Sequence, residues 1–143
     1  MCGETSLSRI DRIAFHRQTI HLRRPFVTAV RTAHSIDVLI VEVRDSDGRS
    51  GWGEAPTSWR VTGESADSVT AAISGPLWEA VQGQSSTDPS ALSELLERAV
   101  VRNSSARMAI DCALYDLAAQ SAGQPLPRCR SSSLRAQSGA CSF

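Results

Sequence analysis

The run Ser35 to Arg44, SIDVLIVEVR, is the feature that most limits how this chain can fold. It is rich in Val and Ile and short of helix formers, which marks a strand. The next four residues, Asp45 to Gly48 (DSDG), are turn chemistry, with Gly48 able to supply a positive φ. Ser50 to Ala55 then reads as a third, shorter strand. Upstream, Ser8 to Leu22 reads as the first strand. Ile13 and Phe15 alternate in one phase and Ile20 and Leu22 in the other, which predicts a bulge or bend between the two pairs. Pro25 is expected to end the regular structure, leaving Arg23 to His34 (RRPFVTAVRTAH) as a loop. The product is a three-stranded antiparallel meander.

Everything after it has helical periodicity. Ser65 is a helix cap, followed by the stripe Val69, Ala72 and Ile73. Gly75-Pro76 breaks or kinks that helix, and Leu77 and Val81 continue it. Asp88-Pro89 is an N-cap and first-turn pair for a helix whose core positions are Leu92, Leu95, Leu96 and Ala99. Ser104 or Ser105 opens a last helix, stopped by Gly123 and Pro125. Strands first and three to four helices after is the α+β pattern.

The last helix has more apolar surface than one neighbour requires. Ala106, Ala109, Ile110, Ala113, Leu114 and Leu117 form one face; Met108, Cys112, Tyr115 and Ala119 form a second stripe. Either a helix of the same domain or a separate domain covers that stripe.

Composition excludes several chemistries. The formal net charge of the 143 residues is zero, so no field for nucleic acid or a membrane surface is implied. No apolar run approaches a membrane span, and MCGETSLSRIDR lacks the apolar segment of a secretory signal, so a cytoplasmic protein is expected. Cys2, Cys112, Cys129 and Cys141 have no metal-type spacing. All fifteen basic residues are arginine, so no lysine nucleophile, base or phosphate ligand exists here. His16, His21 and His34 share no spacing, and Asp111 and Asp116 lie five apart on a helix, on different faces. No catalytic residue and no metal ligand is expected in the chain.

A meander places the end of its first strand, the start of its second and the end of its third together. The loops 23–34 and 56–63 should therefore emerge side by side as a binding rim. Arg31 and Arg60 are the candidate carboxylate contacts, since a guanidinium can bind a carboxylate through two hydrogen bonds. Glu54, between Gly53 and Ala55, reads as a structural anchor that accepts main-chain N–H groups from the following loop. Catalysis by Glu54 is disfavoured, because no second acid, histidine or metal cluster accompanies it.

Three blocks carry a family resemblance: RPFVTAVRTAHSIDVLIVEV, DGRSGWGEAPTSWRVTGES and NSSARMAIDCALYDLAAQSAGQPL. In this order and spacing they resemble the N-terminal capping domain of the enolase superfamily, in the mandelate racemase and muconate-lactonizing branch. Within it, the PF-x-TA-x-RT and VTGES loops are most similar to dipeptide epimerases of the L-Ala-D/L-Glu type. The resemblance covers about residues 10–126 and implies a cap domain over residues 1–126. In such enzymes the cap closes over a C-terminal (β/α) barrel, which holds Mg²⁺ through acidic ligands and uses two lysines to exchange an α-proton through an enediolate. By the same resemblance Arg31 faces the distal carboxylate of an acidic dipeptide. Phe26 and Thr28 belong to the first lid loop and Val61 and Thr62 to the second, with Glu54 the anchor. The barrel is the implied partner, and the Mg²⁺ site lies in it, outside this chain. The class implied is an isomerase, with the cap inactive alone.

The sequence departs from the family after Leu126. Residues 127–143 turn Ser-, Arg- and Cys-rich and aperiodic, and are expected to be a disordered tail produced by a frameshift near Arg128. Two rivals stand beside this reading. One is the cap of a muconate or chloromuconate cycloisomerase or of a succinylbenzoate synthase. The other is a stand-alone α+β binding module that uses the second helical stripe to form a homo-oligomer.

Overall fold

The computed structural model describes residues 8–29 and 31–126. The expectations about residues 127–143 lie outside the described residues. Three antiparallel strands come first, β1 (Ile10–Val27), β2 (Thr32–Asp45) and β3 (Ser50–Thr57), in the spatial order β1-β2-β3. The helices follow: α1 (Ala66–Ala72), a π-type turn at Ile73–Leu77, α2 (Trp78–Val81), α3 (Pro89–Ala99) and α4 (Ser104–Ser121). This is the expected α+β architecture.

The β2–β3 hairpin forms where its turn chemistry placed it, with Gly48 at φ +81°. Asp45 locks the turn. Its carboxylate, 1% exposed, accepts the main-chain N–H groups of Asp47 and Arg49 and the Arg49 guanidinium at 2.9 Å. Burial opposes ionisation of this carboxyl, but the Ser8 hydroxyl and then the Arg49 main-chain and side-chain donors outweigh it and hold it below the ordinary aspartate range.

The first strand differs from its reading in two ways. Its register with β2 is unbroken from Arg12 to His21, so no bulge separates the two apolar phases. The apolar residues change face instead: Ile13 and Phe15 pack on the core, while Ile20 is exposed on the opposite face. Nor does Pro25 end the strand. It falls within the irregularity between His21 and Phe26 on an edge strand, where a missing N–H costs no ladder bond. Pairing resumes at Phe26–Ala33 and Val27–Thr32. Most of the expected 23–34 loop is therefore a β-hairpin.

The core lies between one sheet face and the helices. Leu39, Val41 and Val43 of β2 meet Val69, Ile73, Leu77, Leu92, Leu96, Ile110, Leu114 and Leu117. α4 lies across β3 and β2, and its close approach explains the glycines of SGWGEA. Gly51, Gly53 and Ala55 share the inward face of β3 by strand alternation. A Cβ on Gly51 would overlap the Ala113 carbonyl, and one on Gly53 the Ala109 carbonyl. Small residues on both elements let backbone touch backbone. α4 also closes the free edge of β3: Asp116 accepts the Trp52 N–H at 3.0 Å, and Gln120 donates to the Ser50 carbonyl at 2.8 Å.

The helix signals hold closely. Ser65 and Ser68 form a reciprocal cap on α1, and Asp88 accepts the Ala91 N–H at the start of α3. Gly75, at φ −108° and ψ −110°, kinks the chain ahead of Pro76. Of the second stripe on α4, Met108 and Cys112 are exposed, Tyr115 reaches Ser90 on α3, and Ala119 joins the core. No helix among the described residues is long and apolar enough to cross a membrane.

Candidate functional site

Two loops leave the same end of the sheet, as the meander requires, but they are staggered. β3 ends at Thr57, opposite Asp37 of β2. β2 runs five residues further back, to Thr32 opposite Val27. The β1–β2 hairpin therefore reaches about 17 Å past the last β3 pairing, at some 3.3 Å per residue. Its tip is closed by Thr28, whose N–H donates to the Arg31 carbonyl at 2.8 Å and whose hydroxyl accepts the Arg31 N–H at 3.2 Å. Thr28 thus builds the turn that carries Arg31. The Arg31 side chain is exposed and pairs with no carboxylate among the described residues. Phe26, 60% exposed, and Val27 flank the tip.

The second loop, Ser58 to Glu64, folds back on one carbonyl. Ser58 C=O accepts the N–H groups of Val61, Thr62 and Gly63, and the Thr62 hydroxyl as well. Gly63 takes φ +73°, which turns the chain back toward a bridge between Ser58 and Glu64. Outside this ring stand Trp59, 76% exposed, Arg60, and Val61, 75% exposed. Between this loop, the sheet and the start of α1 lies a recess of about 420 Å³, lined in part by Arg17, Asp37, Thr57, Trp59 and Glu64.

Glu54 does not perform the expected anchoring. It lies on the sheet face away from the helices, exposed, and accepts no hydrogen bond among the described residues. Strand alternation explains this: Gly53 and Ala55 point inward, so Glu54 points out. The buried carboxylate of the region is Glu64, 7% exposed, which accepts the Ser105 N–H at the start of α4. Sequence reasoning missed Glu64, although its place just before the cap Ser65 was a usable signal. It also missed Asp116 and Gln120 as partners of β3.

The described residues contain no group of three or more His, Cys, Asp or Glu side chains placed to hold a metal ion. What the geometry provides is a rim. Two adjacent loops present guanidinium groups that pair with no carboxylate among the described residues and four large apolar side chains, Phe26, Val27, Trp59 and Val61.

A small α+β domain of this topology, with its loops projecting from one end, defines a capping module. The chain belongs to the mandelate racemase / muconate lactonizing enzyme family, matching its N-terminal domain over residues 10–128. It is 38% identical over 118 residues to the L-Ala-D/L-Glu epimerase of Bacillus subtilis, covering 82% of this chain and 32% of that protein. It is equally 38% identical over 119 residues to the L-Lys-D/L-Arg epimerase of Methylococcus capsulatus, again covering 82% of this chain and 33% of the relative. The B. subtilis epimerase in a substrate-liganded complex superimposes with a TM-score of 0.78, over 82% of this chain and 33% of the other. A Cytophaga hutchinsonii dipeptide epimerase, solved with Mg and D-Ala-L-Val, gives 0.75 at 30% identity, over 82% of this chain and 32% of the other. The chain thus spans about a third of the length of the relatives it matches.

Proposed function

We propose that this chain is the substrate-capping and specificity domain of a Mg²⁺-dependent dipeptide epimerase-type enzyme. Its two loops close over an acidic dipeptide held by a (β/α) barrel that these 143 residues do not contain. The observation that carries the proposal is the rim itself: exposed apolar side chains and an unpaired Arg31 stand at the end of the sheet, in a domain homologous to the N-terminal third of dipeptide epimerases. Metal binding and proton transfer belong to the barrel, and the chain alone is inert. Arg31 favours an acidic over a basic distal side chain, because a guanidinium attracts a carboxylate and repels another cation.

The test is a fusion of residues 1–126 to the barrel of the B. subtilis relative in place of that enzyme's own cap. Epimerisation of L-Ala-L-Glu is compared with that of L-Lys-L-Arg. The expected result is preference for the acidic dipeptide, with Arg31→Ala lowering its kcat/KM by about tenfold or more, the loss of one charge-assisted contact. A folded fusion that prefers the basic dipeptide, or is indifferent to Arg31→Ala, overturns the substrate assignment.

A further inference from the structure

We propose that Glu64 is the positioning residue of the second loop, clamping its base to the first turn of α4. The ring from Ser58 to Gly63 is held almost wholly by its own hydrogen bonds. Val61, Thr62 and Gly63 all donate to Ser58, and none of them donates to a strand or helix. Its free end reaches the rest of the fold through Glu64. The two carboxylate oxygens of Glu64 lie 3.4 and 3.2 Å from the Ser105 nitrogen, 41 positions along the chain. Its own N–H donates to the Thr62 hydroxyl, and its main chain bridges back to Ser58. The next residue, Ser65, caps α1. A single residue therefore joins the loop, α1 and α4.

The start of α4 is built to receive it. Asn103, in the cap position, is in the left-handed conformation at φ 50° and ψ 47° and makes no side-chain cap. Arg102, before it, also has a positive φ of 62°. The first N–H groups of α4 thus lack the usual local acceptor, and the Glu64 carboxylate takes that place from across the fold. Glu64 has no arginine partner among the described residues, so its side chain is held by the Ser105 N–H. The clamp fixes the angle at which Trp59, Arg60 and Val61 leave the domain.

Calling this loop a lid rests on the capping function proposed above; the clamp itself is read in the chain alone, without substrate or barrel. The experiment is amide hydrogen exchange on the whole 143-residue chain, comparing wild type with Glu64→Ala and Glu64→Gln. In Glu64→Ala, exchange at Val61, Thr62, Gly63 and Ser105 is expected to rise about tenfold or more, the loss of one charged hydrogen bond, while Val41 and Val43 are unchanged. Glu64→Gln keeps a carbonyl acceptor of the same reach and restores most of the protection. Two results overturn the proposal. One is loop exchange that is the same in all three proteins. The other is exchange that rises equally in the loop and in β2, which would make Glu64 a general support of the fold. Neither bears on which dipeptide the fused enzyme prefers.

Discussion

Gly53 shows how much a missing side chain can decide. Its Cα faces the Ala109 carbonyl so closely that a methyl group has no room, and the obstacle is helix backbone that cannot rotate away. Gly53→Ala should therefore destabilise the domain by roughly 3 kcal/mol, the upper end of the usual cost of overpacking. Denaturant unfolding checks this: the midpoint should fall with the slope unchanged. Substitution at Gly48 is a different matter. Nothing lies near its Cβ, and the cost there comes only from the positive φ. The sequence made glycine's role at Gly48 legible, because turn chemistry is local. At Gly53 it suggested close approach without saying to what, since the partner lies 56 positions away on α4.

At the scale of elements, the β1–β2 hairpin divides into two parts. Between Arg12 and Thr19, β1 sits in the three-stranded part of the sheet; past Asp37 toward the tip, the hairpin is two strands without β3 beside them. An isolated two-stranded ribbon is marginal in water. Amides of residues 26–33 should accordingly exchange much faster than those of 38–43 in this chain. They should slow when a barrel is fused to it, and peptide-resolved hydrogen exchange on both proteins reads the difference. Local signals explain what was legible here. Alternation and DSDG placed β2 and β3 within two or three residues. Pro25 misplaced the end of β1, because whether a proline stops a strand depends on which edge it occupies. The helix caps at Ser65 and Asp88 were visible because cap and capped N–H are three residues apart. The cap of α4 was not, because its acceptor comes from Glu64. Arg31, Phe26 and Val61 are exposed at the rim, whereas Glu54 is exposed on the outer sheet face and Glu64, ten residues on, is the buried carboxylate.

The whole molecule should be acid-sensitive in a defined direction. Asp45 titrates below its ordinary range for the reasons given. Glu42 does too, chiefly through the Ser50 hydroxyl at 2.6 Å and then the Arg44 guanidinium at 2.9 Å. A carboxyl depressed in the folded state adds stability above its unfolded pKa of about 4 and loses that stability as pH falls through the folded value. Thermal unfolding should thus give a Tm that is flat from pH 7 to about 5 and declines below about 4. Asp45→Asn should lower the plateau and flatten the decline. A variant with the same acid limb as wild type would show that other groups set it.

The convergence of three N–H groups on the Ser58 carbonyl has a consequence for how this domain can change. Within the second loop, the turn is held by main-chain N–H groups and the Thr62 hydroxyl on the Ser58 carbonyl, so the side chains of Trp59, Arg60 and Val61 are not what holds it. Any residue with an amide hydrogen can make the Val61 contact to Ser58, and the side chains at 59, 60 and 61 are largely exposed. New preferences can therefore be explored at three neighbouring positions without a stability debt, which makes them the natural sites for a randomised library.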